Sequence, residues 1–168
     1  MKAFTAALLM LFFVVWPALA EERSQARVRK REQHVHQVLF NKYYQERKYK
    51  EALAEAETII RINPYNAVAY SLKARVHVEL SDCLSAIADL NKAIELAPFR
   101  PNFYLERGDM LVRVGKYEAA IKDYDEALKL NHPRPTTVIT NKDLAEKMLS
   151  TSRRLEQIKA GGSKKKGL

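Results

Sequence analysis

Four histidines, one cysteine and twenty carboxylates are the side chains of this chain with chemistry to offer. His34 and His36 are two apart, so on a helix they point to different faces. His77 and His132 stand far off, and no cluster of Cys or carboxylates with metal-ligand spacing accompanies the histidines. The histidines therefore read as exposed or half-buried helix residues rather than as a metal site. Cys83 is alone, so it cannot close an intramolecular disulfide, and it reads as a small core or boundary residue. The chain has no Gly-rich phosphate loop, no Gly-x-Ser-x-Gly and no paired carboxylates in a loop. The expectation is a non-enzymatic protein with no catalytic, cofactor-binding or metal-binding residues.

Charge points to surfaces rather than to chemistry. The chain of 168 residues has a formal net charge of +9. Its surplus gathers at two ends: Arg23, Arg27, Arg29, Lys30 and Arg31, then Lys164, Lys165 and Lys166. Few aromatics interrupt the first cluster and no nucleic-acid reading motif accompanies it, so nucleic acid is disfavoured. A solvated face and tail is the plain reading. Peripheral contact with an anionic membrane surface is the functional alternative.

Residues 1–20 read as a signal peptide. Lys2 is a minimal positive start, Ala3 to Trp16 is uncharged and mostly apolar, and Pro17-Ala18-Leu19-Ala20 ends in a small-x-small pattern. Export is expected, most simply to a periplasm. The basic cluster just beyond resists translocation, which leaves an uncleaved N-terminal anchor as the alternative.

The elements that carry these residues repeat. Asn63-Pro64 recurs 34 residues on as Ala97-Pro98, and Pro133 follows one place late. Tyr49-Lys50-Glu51-Ala52 recurs as Cys83-Leu84-Ser85-Ala86 and as Tyr117-Glu118-Ala119-Ala120. A fixed period of this size means stacked supersecondary units. The units are 33–66, 67–100 and 101–134, each read as helix, turn, helix and a Pro-marked turn. Val35, Leu39 and Tyr43, then Tyr49, Leu53, Ala56, Ile59 and Ile60, show the helical period in the first. With 47% hydrophobic residues, 29% charged and only 5 Gly, the composition suits a packed helical domain.

This pattern resembles the tetratricopeptide repeat family. The third unit carries it on Tyr104, Gly108, Leu111, Ala120, Tyr124, Ala127 and Pro133, and the second on Tyr70, Ala74, His77, Ala86, Leu90, Ala93 and Pro98. The first carries Leu39, Tyr43, Ala52, Ile59 and Pro64 but departs at Phe40, normally small, and Ala56, normally large. A large-for-small exchange at facing positions would conserve core volume. The resemblance implies an all-α, right-handed superhelix of three helix-turn-helix units. A charged, helical extension over 21–32 precedes it. A linker and capping helix over 135–160 follows, opened by a capping box at Thr140-Asn141-Lys142-Asp143 and covering the last unit through Leu144, Met148, Leu155 and Ile158. Gly161-Gly162-Ser163 is expected to end that helix, leaving 161–168 as a basic disordered tail.

The resemblance also implies a concave groove lined by the first helix of each unit. Its candidate partner-binding residues are Val38, Asn41, Tyr44, Val68, Leu72, Arg75, Asn102, Leu105, Glu106, Asp109 and Val112. Members that bind chaperones clamp a C-terminal carboxylate with Lys, Arg and Asn. The matching positions here hold Gln37, Asn41, Leu72, Asn102 and Glu106, and only Asn41 agrees. The remaining groove is mixed, with an apolar strip of Val38, Val68, Leu72, Leu105 and Val112. It implies a scaffold or interaction module binding a protein segment, a peptide or helix. The alternative is a structural subunit that self-associates as a homo-oligomer or joins a membrane-associated envelope complex.

Overall fold

The structure, a computed structural model, describes residues 2–164, with side chains described over 18–160. Seven helices follow one another: α1 (Lys2–Gln45), α2 (Tyr49–Ile62), α3 (Ala67–Glu79), α4 (Cys83–Leu96), α5 (Pro101–Arg113), α6 (Tyr117–Lys129) and α7 (Pro135–Lys164). The described residues contain no strand. The pairs α1–α2, α3–α4 and α5–α6 form antiparallel hairpins, and α2–α3, α4–α5 and α6–α7 stack them in chain order. This is the all-α repeat stack that the period predicted.

The second helix of each pair buries one narrow stripe. Ala52, Ala56 and Ile59 do so on α2, Ala86, Leu90 and Ala93 on α4, and Ala120, Tyr124 and Ala127 on α6. Spacings of three and four put them on one helix face. Small residues within each stripe let the paired helices approach closely. Where the two helices cross, one position on each shares a fixed volume. The pair is Phe40 and Ala56 in the first unit, Ala74 and Leu90 in the second, Gly108 and Tyr124 in the third, all buried. A Cβ on Gly108 would meet Cε1 of Tyr124 at 2.7 Å, so that glycine is required by its bulky neighbour. The exchange at Phe40 and Ala56 is this pairing reversed.

A carboxylate on each second helix also ties back to the first. Glu55 meets His36 at 2.6 Å, Asp89 meets Lys73 at 3.5 Å, and Asp123 takes two bonds from Arg107 at 2.7 and 2.8 Å. His77 Nδ1 also faces Asp89 at 2.9 Å, without the alignment of a hydrogen bond.

The turns repeat as faithfully. Arg47, Ser81, Gly115 and Asn131 adopt left-handed backbone, with φ of 58°, 61°, 76° and 56°. Each is followed by an N–H that reaches back across the turn, Lys48 to Tyr43, Asp82 to His77, Lys116 to Leu111 and His132 to Ala127, at 2.8 to 3.0 Å. These are Schellman ends, which satisfy the last carbonyls of a helix. Asn66 and Asp82 then cap α3 and α4 by accepting from the N–H groups of Val68 and Ser85.

The two flanking helices differ from expectation. α1 is continuous from Lys2, and its residues 18–32 are exposed. Of the expected signal segment, residues 1–17 lie outside the described side chains. α7 opens at Pro135, not at the expected capping box. A proline suits the first helical turn, where its missing N–H costs nothing. Thr140 instead donates to the Thr136 carbonyl inside the helix. α7 buries Val138 and Ala145, while Leu144, Met148, Leu155 and Ile158 stay exposed, so the covering face is the one with smaller residues. Nor does the helix stop at Gly161-Gly162-Ser163, since its backbone continues to Lys164; the last four residues of the expected tail lie outside the described residues.

Candidate functional site

The first helices of the three units, joined by α7, wall a groove of about 460 Å³. Tyr44 comes from α1, Arg75 and Val78 from α3, Glu106, Asp109, Met110, Val112 and Arg113 from α5, and Asn141 and Leu144 from α7. Leu90 and Tyr124, from second helices, reach the same space. Since each unit repeats the last, residues 34 apart arrive side by side. Arg75 and Asp109 are one such pair, and Val78 and Val112 another.

One end of the groove is held by an aromatic cluster. Tyr44 stacks on Phe40 with ring centroids 5.7 Å apart and meets Tyr49 edge-on at 5.9 Å. The Tyr44 and Tyr49 hydroxyls donate to the two oxygens of Glu79, at 2.7 and 3.1 Å. These bonds hold the Glu79 carboxyl below its usual range. The guanidinium of Arg75 lies over the Tyr44 ring, 4.7 Å from its centre.

The other end carries acid. Glu106 accepts from the Ser71 hydroxyl at 3.1 Å. Asp109 accepts from the Tyr124 hydroxyl at 2.8 Å and the Asn141 amide at 2.9 Å, both through Oδ1. Burial raises both carboxyls above their usual range; Ser71 and Arg75 oppose this at Glu106, and Tyr124, Asn141 and Arg113 oppose it at Asp109. Among the described residues, neither carboxylate has an ion-pair partner within 4.0 Å.

Of the residues expected to line this surface, Tyr44, Arg75, Glu106, Asp109 and Val112 come together here. Leu72 and Leu105 do not, because they are core residues only 5% and 7% exposed. Leu72 packs in the cluster built around Phe40 and Ile59, and Leu105 in that built around Tyr124 and Val138. The expected apolar strip is therefore broken, and Val38, at 52% exposure, lies apart from the groove. Asn41 and Asn102 are exposed and Val68 is half-buried, all outside the cavity wall. Asn141 and Leu144 were missed, and the apolar period of α7 was the signal that assigned Leu144 to the wrong face.

His34 is exposed, His36 and His77 pair with carboxylates, and His132 is buried with Nδ1 accepting from the Arg134 N–H. Cys83 is half-buried against the second core cluster. Among the described residues no group of three or more His, Cys, Asp or Glu is placed to hold a metal ion, and no helix is long and apolar enough to cross a membrane.

Residues 71–135 match the sequence profile of the tetratricopeptide repeat family. A sequence search of curated proteins returned no match. Among solved structures, the first repeat domain of Spaghetti (RPAP3), bound to the HSP90 peptide SRMEEVD, is 27% identical with a TM-score of 0.68. That match covers 71% of this chain and 94% of the other. The first such domain of human RPAP3 is also 27% identical, with a TM-score of 0.67 over 73% of this chain and 98% of the other. The TPR2B domain of yeast Sti1, solved with an Hsp70 peptide, shares 22% identity, 69% and 97% coverage and a TM-score of 0.66, a likeness of fold.

Proposed function

We propose that this tetratricopeptide repeat protein is a non-enzymatic interaction module that takes a peptide or short helix of a partner protein into its concave groove. The observation that carries the reading is the groove itself. It is walled by rigid helices, and it places apolar Val78, Val112 and Leu144 beside hydrogen-bonding groups not all consumed by the fold. Small sets of polar groups on an apolar concavity are what a preformed recognition site requires. The peptides bound by the similarly folded domains of RPAP3 and Sti1 support the same use of the surface. The HSP90 peptide of the RPAP3 complex ends in an acidic run, whereas here Glu106 stands where the chaperone-binding resemblance would need a cation, so an acidic chaperone tail is not the ligand proposed. Under this reading the protein works after export, guided by residues 1–20. The intact mass of the protein isolated from its native cells tests that part.

Substitution Val112→Asp tests the groove. The residue is half-buried, so the helix should still form, and circular dichroism checks this. Loss of partner capture with unchanged helicity is expected. Asn102→Asp, exposed and outside the groove, should leave capture intact, and equal capture by all three proteins would defeat the reading.

A second reading, a subunit of a self-associating or membrane-associated complex, rests on the exposed stripe Met148, Leu155 and Ile158 of α7, beyond the groove. Lys147, Arg154 and Lys159 border that stripe, so two copies laid face to face would bring like charges together. Light scattering decides between a monomer, as the groove reading requires, and a dimer that persists on dilution.

A further inference from the structure

Three carboxylates at the hairpin interfaces, Glu55, Asp89 and Asp123, each face a basic side chain from the partner helix at 3.5 Å or less. The two in the groove do not. Glu106 and Asp109 are partly buried, one turn apart on α5, and they are met by a hydroxyl from Ser71, a hydroxyl from Tyr124 and an amide from Asn141. Neutral donors satisfy lone pairs but do not cancel charge. Two cations lie nearby without reaching ion-pair distance: Arg75, over the Tyr44 ring, and the exposed Arg113 offset the charge of Glu106 and Asp109 only from further off. A partly buried carboxylate without a directly paired counter-charge is costly, so a site that keeps two of them is complementary to a cation brought by a ligand.

We infer that the groove selects a peptide segment that carries a Lys or Arg side chain, placed against Glu106 and Asp109, next to an apolar side chain packed on Val78, Val112 and Leu144. This deepens the groove reading and rests on it. Charge complementarity sets the polarity of the ligand opposite to that of an acidic C-terminal tail. The apolar wall beside the acid pair sets the neighbouring residue, because the stem of a Lys or Arg and an adjacent aliphatic group cover the same surface.

The test is a selection of random twelve-residue peptides displayed on phage against the full chain, followed by affinity measurement of synthetic versions. Selected peptides are expected to share a Lys or Arg beside an aliphatic or aromatic residue. Replacing that cation by norleucine should weaken binding at least tenfold. Glu106→Gln with Asp109→Asn should weaken the cationic peptide similarly, while the norleucine peptide binds both proteins alike. Affinity of the cationic peptide should fall as salt rises. Peptides that bind in the groove, blocked by Val112→Asp, but show no preference for the cation would overturn this inference and leave the groove reading standing. Failure to select any groove-directed peptide would overturn both. Association of the chain with itself through Arg23–Arg31, abolished by the Gln and Asn substitutions, would place a second copy in the groove instead and overturn the assignment to a partner.

Discussion

Glu106 carries a cost at neutral pH that a purely structural residue would not be expected to keep. Burial raises its carboxyl above the unfolded value, so the folded chain holds that proton more tightly than the unfolded chain does. The stability it contributes is full below about pH 4 and is lost as pH rises through the raised folded value. Glutamine cannot lose the proton and can keep the Ser71 bond. Glu106→Gln should therefore raise stability at pH 7 by about 0.5–2 kcal/mol, and the gain should vanish near pH 3. Urea titrations of both proteins at the two pH values check this; a gain that survives at pH 3 would mean packing rather than charge. Residue roles of this kind were only partly legible in the sequence. Val38, Leu72 and Glu106 occupy one position of the repeat, yet one is exposed, one buried and one in the groove. Periodicity gives the direction of a side chain on its own helix. What covers it is decided by the neighbouring unit, which periodicity does not describe.

At the scale of elements the repeat was far more readable, because prolines, small residues and helical spacing act locally. Four helix ends share one turn, but only Gly115 and Asn131 are residues that turn favours. Arg47 and Ser81 hold a left-handed backbone that a Cβ disfavours by about 1–2 kcal/mol. Ser81→Gly should stabilise the chain by up to that amount in urea unfolding, less the entropy glycine gains when unfolded. Gly115→Ala should do the reverse. The crossing pair of the first unit makes a second prediction. Phe40→Ala alone should cost about 3–5 kcal/mol. Adding Ala56→Leu recreates the Ala74 and Leu90 pair of the second unit and should restore more than half of the loss. A double-mutant cycle reads the coupling directly, and strictly additive effects would show that the two positions do not share one volume. α7 escaped the sequence reading for a related reason. It carries two stripes at helical spacing, and the larger residues suggested the buried one. Close approach to α6 instead selected Val138 and Ala145, leaving Leu144 on the groove and Met148, Leu155 and Ile158 outside.

The whole molecule is a stack in which each hairpin contacts mainly its neighbours, so its one continuous feature is the surface the first helices share. Every wall of the groove comes from a different unit, and α7 closes it through Asn141 and Leu144. The architecture could be foreseen from a 34-residue echo, whereas the groove depends on which side chains of adjacent units meet. Its acid pair arises because Glu106 and Asp109 fall one turn apart where the second unit offers Leu72 and Arg75. The central claim is that this surface, and no other, receives the partner. Site-specific photo-crosslinking in the native cells tests it most directly, with the crosslinker placed at exposed Arg113 on the groove margin and, separately, at Leu155 on the outer face of α7. A heterologous adduct is expected from position 113, lost on Val112→Asp, and none from position 155. An adduct from position 155 with nothing from 113 would contradict the claim.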